Sequence, residues 1–358
     1  MTEERTKSEH SPIVRLSRED SAYIKGFAML FMIIHHLFAE DIIPLMYPVS
    51  PMFCLQIGQF NQVCVSMFLF VSGFGMYRAG DKPIRTLKRI PQLYIRLWAV
   101  MVIVTIPVML LTGHFSFNIL ELVKNIFAIN TTYNSAWWFA FLYAKVMLMH
   151  AVLLLLPDNG KGGTHLVLTL ICIIVSIVTF VLTPYTSGLV NLGFSQVSEA
   201  CFYFSVLLMG RYAAQHELLE RLLTALTRRG RLHSGLLSLL LLAVAFGLSV
   251  LLPYIGVIRL YINLFTLPLV LTSVLLIRYA VPATPVYQAV VWYGQASVWT
   301  WLIHMIFISY LPEITFILKL PLLTVIWMVI LNLVPAFLMS MLWRLIRKKD
   351  RHPKIETT

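Results

Sequence analysis

Two adjacent histidines, His35 and His36, close an apolar run that opens on a lysine: residues 23–41 read YIKGFAMLFMIIHHLFAED. Imidazole titrates near neutral pH, and its neutral form can take a proton from a hydroxyl. Lys25 and His36 stand eleven positions apart. In a helix that is about 16 Å along the axis and within about 20° of three whole turns. One helix face would then carry a cation near one end and an imidazole near the other. His35 is turned away by about 100°. Two polar rings that merely bridge neighbouring helices would read the same way.

Other stretches could complete a site. RTLKRIPQLYIRLW (85–98) supplies Arg85, Lys88, Arg89 and Arg96. Guanidinium groups suit the phosphates of an anionic cosubstrate, although topology anchors or lipid headgroup contacts would use the same charges. WYGQASVWTWLIH (292–304) sets Ser297 and His304 seven apart, on one helix face. NSAWWFAFLYAK (134–145) brings Trp137 and Trp138 to the start of an apolar run, as an interfacial aromatic belt would, with Lys145 two turns deeper. NQVCVSMFLFVSGFGMY (61–77) holds Ser66, Ser72, Gly73 and Gly75, small residues that let helices pack closely or form a tight cleft wall. No Ser-His-Asp triad can be assembled, because Glu199 is the sole carboxylate near these runs. No HExxH occurs, and His35–His36 lacks a carboxylate at ligand spacing, so no metal is expected. The four cysteines show no CxxC spacing and read as free buried thiols.

The elements that must hold these residues follow from composition. Of 358 residues, 59% are hydrophobic and only 12% charged, against about 25% charged in a soluble domain. Mean hydropathy is +0.80. The chain is therefore read as an all-α, polytopic membrane protein. Apolar runs long enough to span fall at roughly 21–39, 61–78, 93–112, 135–156, 165–184, 197–214, 235–253, 257–278, 288–310 and 320–345, about ten helices. With the N-terminus in the cytoplasm, alternation puts the great majority of the 28 Lys/Arg residues on the inner side, and the C-terminus returns there. The net charge of +12 thus reflects topology and no nucleic-acid partner. The outer segment 113–134 has apolar residues at helical spacing and reads as an amphipathic surface helix. The polar N-terminus lacks the features of a cleaved signal peptide.

In this order the motifs resemble acyltransferase family 3, bacterial membrane enzymes that mostly O-acylate cell-surface glycans from acyl-CoA. The resemblance lies in Lys25-Gly26 followed by His36, in MFLFVSGFGMY, in the basic stretch before a proline, in the Trp-Trp-Phe segment and in GQASVWTWLIH. It runs from about 20 to 345. Two departures stand out: Lys25 replaces the family's arginine, and the basic residues do not form a clean RxxR. The family's frequent esterase-like domain is not seen. The resemblance implies a cytoplasmic N-terminal segment (1–20), a transmembrane acyltransferase domain (21–346) and a basic cytoplasmic tail (347–358), in a bacterial inner membrane. It implies His36 and His35 as the catalytic residues, with His36 as the base, and acyl-CoA phosphates on Lys25, Arg85, Arg89 and Arg96. A cleft would be lined by Ser72, Trp137, Trp138, Lys145, Ser297 and His304. Acyl-CoA, expected as acetyl-CoA, would be a cosubstrate with no permanently bound cofactor; the partners would be a cell-surface or lipid-linked glycan and membrane lipids. The rival class is a transporter or flippase with His35, His36, Lys145 and His304 as a proton or substrate pathway.

Overall fold

The structure, a computed structural model, describes residues 14–39, 51–156, 163–252, 259–282 and 284–349. The described residues are helical, with no strand among them. The first helix, α1 (Arg18–Leu37), starts at a capping box: Asp20 N–H donates to Ser17 Oγ at 3.2 Å, and Ser17 N–H donates back to the Asp20 carboxylate at 2.5 Å. There follow α2 (Pro51–Asn61), α3 (Val63–Arg78), α4 (Pro83–Leu87) and α5 (Arg89–Val100). A π-helical turn (Met101–Thr105) then leads into α6 (Ile106–Leu111). Pro107 lacks the N–H that a continuous α-helix would need there, which suits a local change of register.

The remainder is α7 (Ile119–Ile126), α8 (Trp138–Leu153), α9 (Gly163–Leu182), α10 (Gly188–Gln215), α11 (Leu218–Thr227), α12 (Arg231–Leu251), α13 (Arg259–Ala280), α14 (Pro285–Gln295), α15 (Ser297–Tyr310), α16 (Pro312–Thr315) and α17 (Pro321–Lys349). Helix α7 occupies the segment read as amphipathic; it exposes Ile119, Leu120 and Val123 and buries Asn125. Most of segments 1–20 and 347–358 lies outside the residues whose side chains are described.

Among the described residues, eight helices are long and apolar enough to cross a membrane: Met52–Arg78, Pro83–Leu111, Ser135–Leu153, Gly163–Tyr185, Gly188–Gln215, Arg231–Leu251, Tyr261–Ala280 and Pro321–Ile346. Each matches one of the ten expected runs. The other two runs are helical as well. Helix α1 is long enough, but Asp20, Lys25, His35 and His36 dilute its apolar character. The run 288–310 is broken at Ala296 into α14 and α15, each short alone. These two runs are the ones that carry His35, His36 and His304.

Glycines bring the helices around α1 close together. A Cβ on Gly26 would strike the Val290 carbonyl of α14, and one on Gly294 would strike the Ala22 carbonyl of α1. A second reciprocal pair joins α3 to α10: Gly73 lies on the Leu207 carbonyl, and Gly210 on that of Phe70. Without a hydrophobic drive between helices in lipid, such close backbone contact supplies the packing energy. The first crossing fixes α1, hence Lys25 and His36, against the α14–α15 pair.

Candidate functional site

A cavity of about 300 Å³ runs along α1. Lys25, His35 and His36 line it from α1, and Cys64, Phe68 and Ser72 from α3. Arg89, Gln92 and Arg96 come from α5, Trp138 and Tyr143 from α8, and Ser297 and Trp301 from α15. The wall thus draws on five helices that are far apart in the chain.

Three cations, Lys25, Arg89 and Arg96, face this space, and no acidic residue is among those lining it. Arg89 is a charged neighbour of Lys25. It is a charged neighbour of the Tyr143 hydroxyl as well. The Arg96 guanidinium lies 5.9 Å from the Trp299 ring and 5.4 Å from the Trp343 ring, so two aromatic faces hold it.

Further along the cavity three histidines gather, His35 and His36 of α1 and His304 of α15. The His36 ring centroid is 4.9 Å from His35 and 5.0 Å from His304. Both outer rings are fixed to the backbone: His35 Nδ1 lies 2.7 Å from Gly58 O, and His304 Nδ1 lies 2.8 Å from Trp301 O. A carbonyl only accepts, so Nδ1 carries the hydrogen in each, and in the neutral ring Nε2 is the bare acceptor. His304 is fully buried; His36 is half-buried and opens to the cavity.

The turn before α8 is clamped to α15. Asn134 Nδ2 and Trp137 Nε1 both donate to Leu302 O, at 3.0 and 3.1 Å, and Trp301 Nε1 donates to Ala136 O at 3.2 Å. These bonds set Trp138 and Trp301 at the cavity.

Of the twelve residues expected at a site, eight line the cavity: Lys25, His35, His36, Ser72, Arg89, Arg96, Trp138 and Ser297. His304 stands behind His36. Three are elsewhere. Arg85 is exposed and donates to Ala79 O and Gly80 O, closing the end of α3. Trp137 is wholly buried in the α15 clamp. Lys145 Nζ binds Gln196 Oε1 at 2.7 Å and Glu199 at 3.4 Å, pairing α8 with α10. The structure therefore does not join Lys145 to the histidines. Sequence reasoning missed Tyr143 and Gln92. A tyrosine in an apolar run costs little and carries no flag; only its partner Arg89, from another helix, marks it. Among the described residues, no group of three or more His, Cys, Asp or Glu could hold a metal ion.

Fold and site together define a multi-pass helical membrane protein with an internal cleft that is cationic along one part and histidine-lined along another. The family model for the acyltransferase-3 acyltransferase domain matches residues 20–344, nearly the whole chain. The chain belongs to that family, and is a membrane acyltransferase. No curated protein and no solved structure matches it.

Proposed function

We propose that the protein transfers a short acyl group, acetyl in the simplest case, from acyl-CoA to a hydroxyl of an exported or cell-surface glycan. The observation that carries this reading is the cationic cluster Lys25, Arg89 and Arg96 in the same cavity as His36. Three half-buried cations on a cavity whose lining carries no carboxylate suit an anionic ligand, and the phosphates of a coenzyme A ester meet that description.

The chemistry follows from this placement. Lys25, Arg89 and Arg96 hold the donor's phosphates, and the thioester extends along α1 toward His36. The imidazole accepts the proton of the acceptor hydroxyl as its oxygen forms a bond to the thioester carbonyl carbon. The carbon–sulfur bond then breaks, and the departing sulfur takes the proton from His36 and leaves as the CoA thiol. With the N-terminus in the cytoplasm of a bacterial inner membrane, the cationic stretch lies toward the donor's side and His36 toward the exported acceptor. Ser72 and Ser297 line the path between.

Purified protein in lipid nanodiscs, given acetyl-labelled acetyl-CoA and membrane glycan extract, should move label to glycan. Solute flux that needs no acyl-CoA, with no label transferred, would favour a transporter instead.

A further inference from the structure

Neutral His36 has one N–H, yet it stands between two imidazoles, each with Nδ1–H fixed on a carbonyl. The two neighbours differ. His304 is 0% exposed, and its Nε2 has no hydrogen-bond partner. A buried acceptor left empty costs free energy in the resting protein. The ring spacing indicates what could fill it. Two imidazoles sharing an N–H···N bond have centroids about 5 Å apart, the bond of about 2.9 Å plus a ring radius at each end. The His36 and His304 centroids are 5.0 Å apart with the planes tilted by 46° and no hydrogen bond between them, so a turn of the His36 ring in place would bring a nitrogen to Nε2.

We propose that His304 is a positioning residue for His36, with its Nε2 held as the acceptor for the second N–H that His36 acquires when it takes the substrate's proton. This rests on the proposed role of His36 as base. Its content is distinct: the acceptor is empty before proton transfer and filled after it. An interaction absent from the ground state and present as charge develops lowers the barrier without tightening substrate binding. The Trp301 carbonyl enforces the arrangement, because a His304 ring flipped or tautomerised would lose its 2.8 Å bond. The clamp of Asn134 and Trp137 on the adjacent Leu302 holds that turn of α15 in place.

The test compares wild type, His304→Leu and His304→Gln in nanodiscs, measuring acyl-CoA affinity, KM and kcat for acyl transfer. Gln places an amide oxygen near the position of Nε2 and can accept the same hydrogen. His304→Leu should keep acyl-CoA affinity and lose kcat by about 10- to 100-fold, the span of one hydrogen bond to a charged group. His304→Gln should recover most of it. An unchanged kcat in His304→Leu overturns the inference. Equal loss in both variants with binding intact also overturns it, as does loss of acyl-CoA binding in both, which would mark His304 as structural. Absence of transfer by wild type overturns the acyltransfer reading itself, and the inference with it.

Discussion

Arg211 Nη1 lies 2.5 Å from Asp81 Oδ2, joining the end of α10 to the loop between α3 and α4. The two side chains are 7% and 6% exposed. Arg211 also donates through Nε to His165 Nε2 at 3.0 Å, and His150 Nε2 lies 3.2 Å from both Arg211 and Asp81. The Tyr77 ring covers the guanidinium. Four elements, α3–α4, α8, α9 and α10, therefore meet at one buried polar knot.

Burial alone would raise the Asp81 carboxyl, but hydrogen bonds from His150 and Arg211 and the Arg211 charge outweigh it, and the group is held below its ordinary range. A depressed carboxylate contributes stability that is complete above the unfolded-state value, near 4, and is lost as pH falls through the folded-state value. Asp81→Asn should lower thermal stability by about 3 kcal/mol at pH 7, since it strands Arg211. The gap from wild type should hold down to about pH 4 and narrow below it. Melting curves of both proteins in detergent between pH 3 and 7 check this. A gap that widens on acidification would contradict the sign.

Arg85 and Arg89 are four residues apart and were indistinguishable by type and spacing. The structure separates them: Arg85 caps α3, and Arg89 faces the cavity beside Lys25 and Tyr143. Arg89→Ala should raise the acyl-CoA KM roughly tenfold, the worth of one hydrogen-bonded charge, and Arg85→Ala should leave it within twofold. Raising salt should weaken wild-type binding more than that of Arg89→Ala, because one fewer cation remains to be screened. Equal effects of the two substitutions would remove the phosphate assignment from α5.

What the sequence disclosed and what it hid have physical causes. Span positions were legible because a bilayer demands about 20 apolar residues, and all ten runs are helical over their described residues, one of them broken at Ala296. His36 and Lys25 stood out because ionisable groups in such runs are costly. Lys145 stood out for the same reason, yet its cost is met by Gln196 and Glu199 on α10, a pairing visible only in three dimensions. Trp137 carries the same ambiguity: its indole N–H needs an acceptor, and Leu302, 165 residues away, supplies it. Cost is written in the sequence; the partner that offsets it is not.

The α1–α14 crossing predicts a mechanical sensitivity. Gly294 meets the Ala22 carbonyl and Gly26 the Val290 carbonyl, so neither has room for a methyl group. Gly294→Ala must push the helices apart, at about 1–3 kcal/mol as overpacking does. It should also lower transfer, because α1 carries His36 and α15 carries His304. Gly75→Ala, where nothing lies within contact of the added carbon, is the control and should be near neutral in both assays. Comparable losses in the two variants would show that helix propensity or membrane insertion, and not this crossing, governs the outcome.

His35 and His36 separate in the same way, and the pair supplies the sharpest test of the base. His35 Nδ1 donates to Gly58 O, tying α1 to α2 at a point where Gly58 itself rests on the Phe38 carbonyl. Its removal frees a carbonyl and should cost stability of about 1 kcal/mol, with a modest fall in turnover. His36 holds the centre of the histidine row and opens to the cavity. His36→Ala should retain the fold and acyl-CoA binding and lose kcat by about 10²- to 10⁴-fold, the range for removal of a general base. Labelled acyl transfer, with melting temperature and acyl-CoA affinity measured on the same preparations, distinguishes the two. Loss confined to His35→Ala would move the base one residue along α1; full transfer by both variants would end the histidine mechanism.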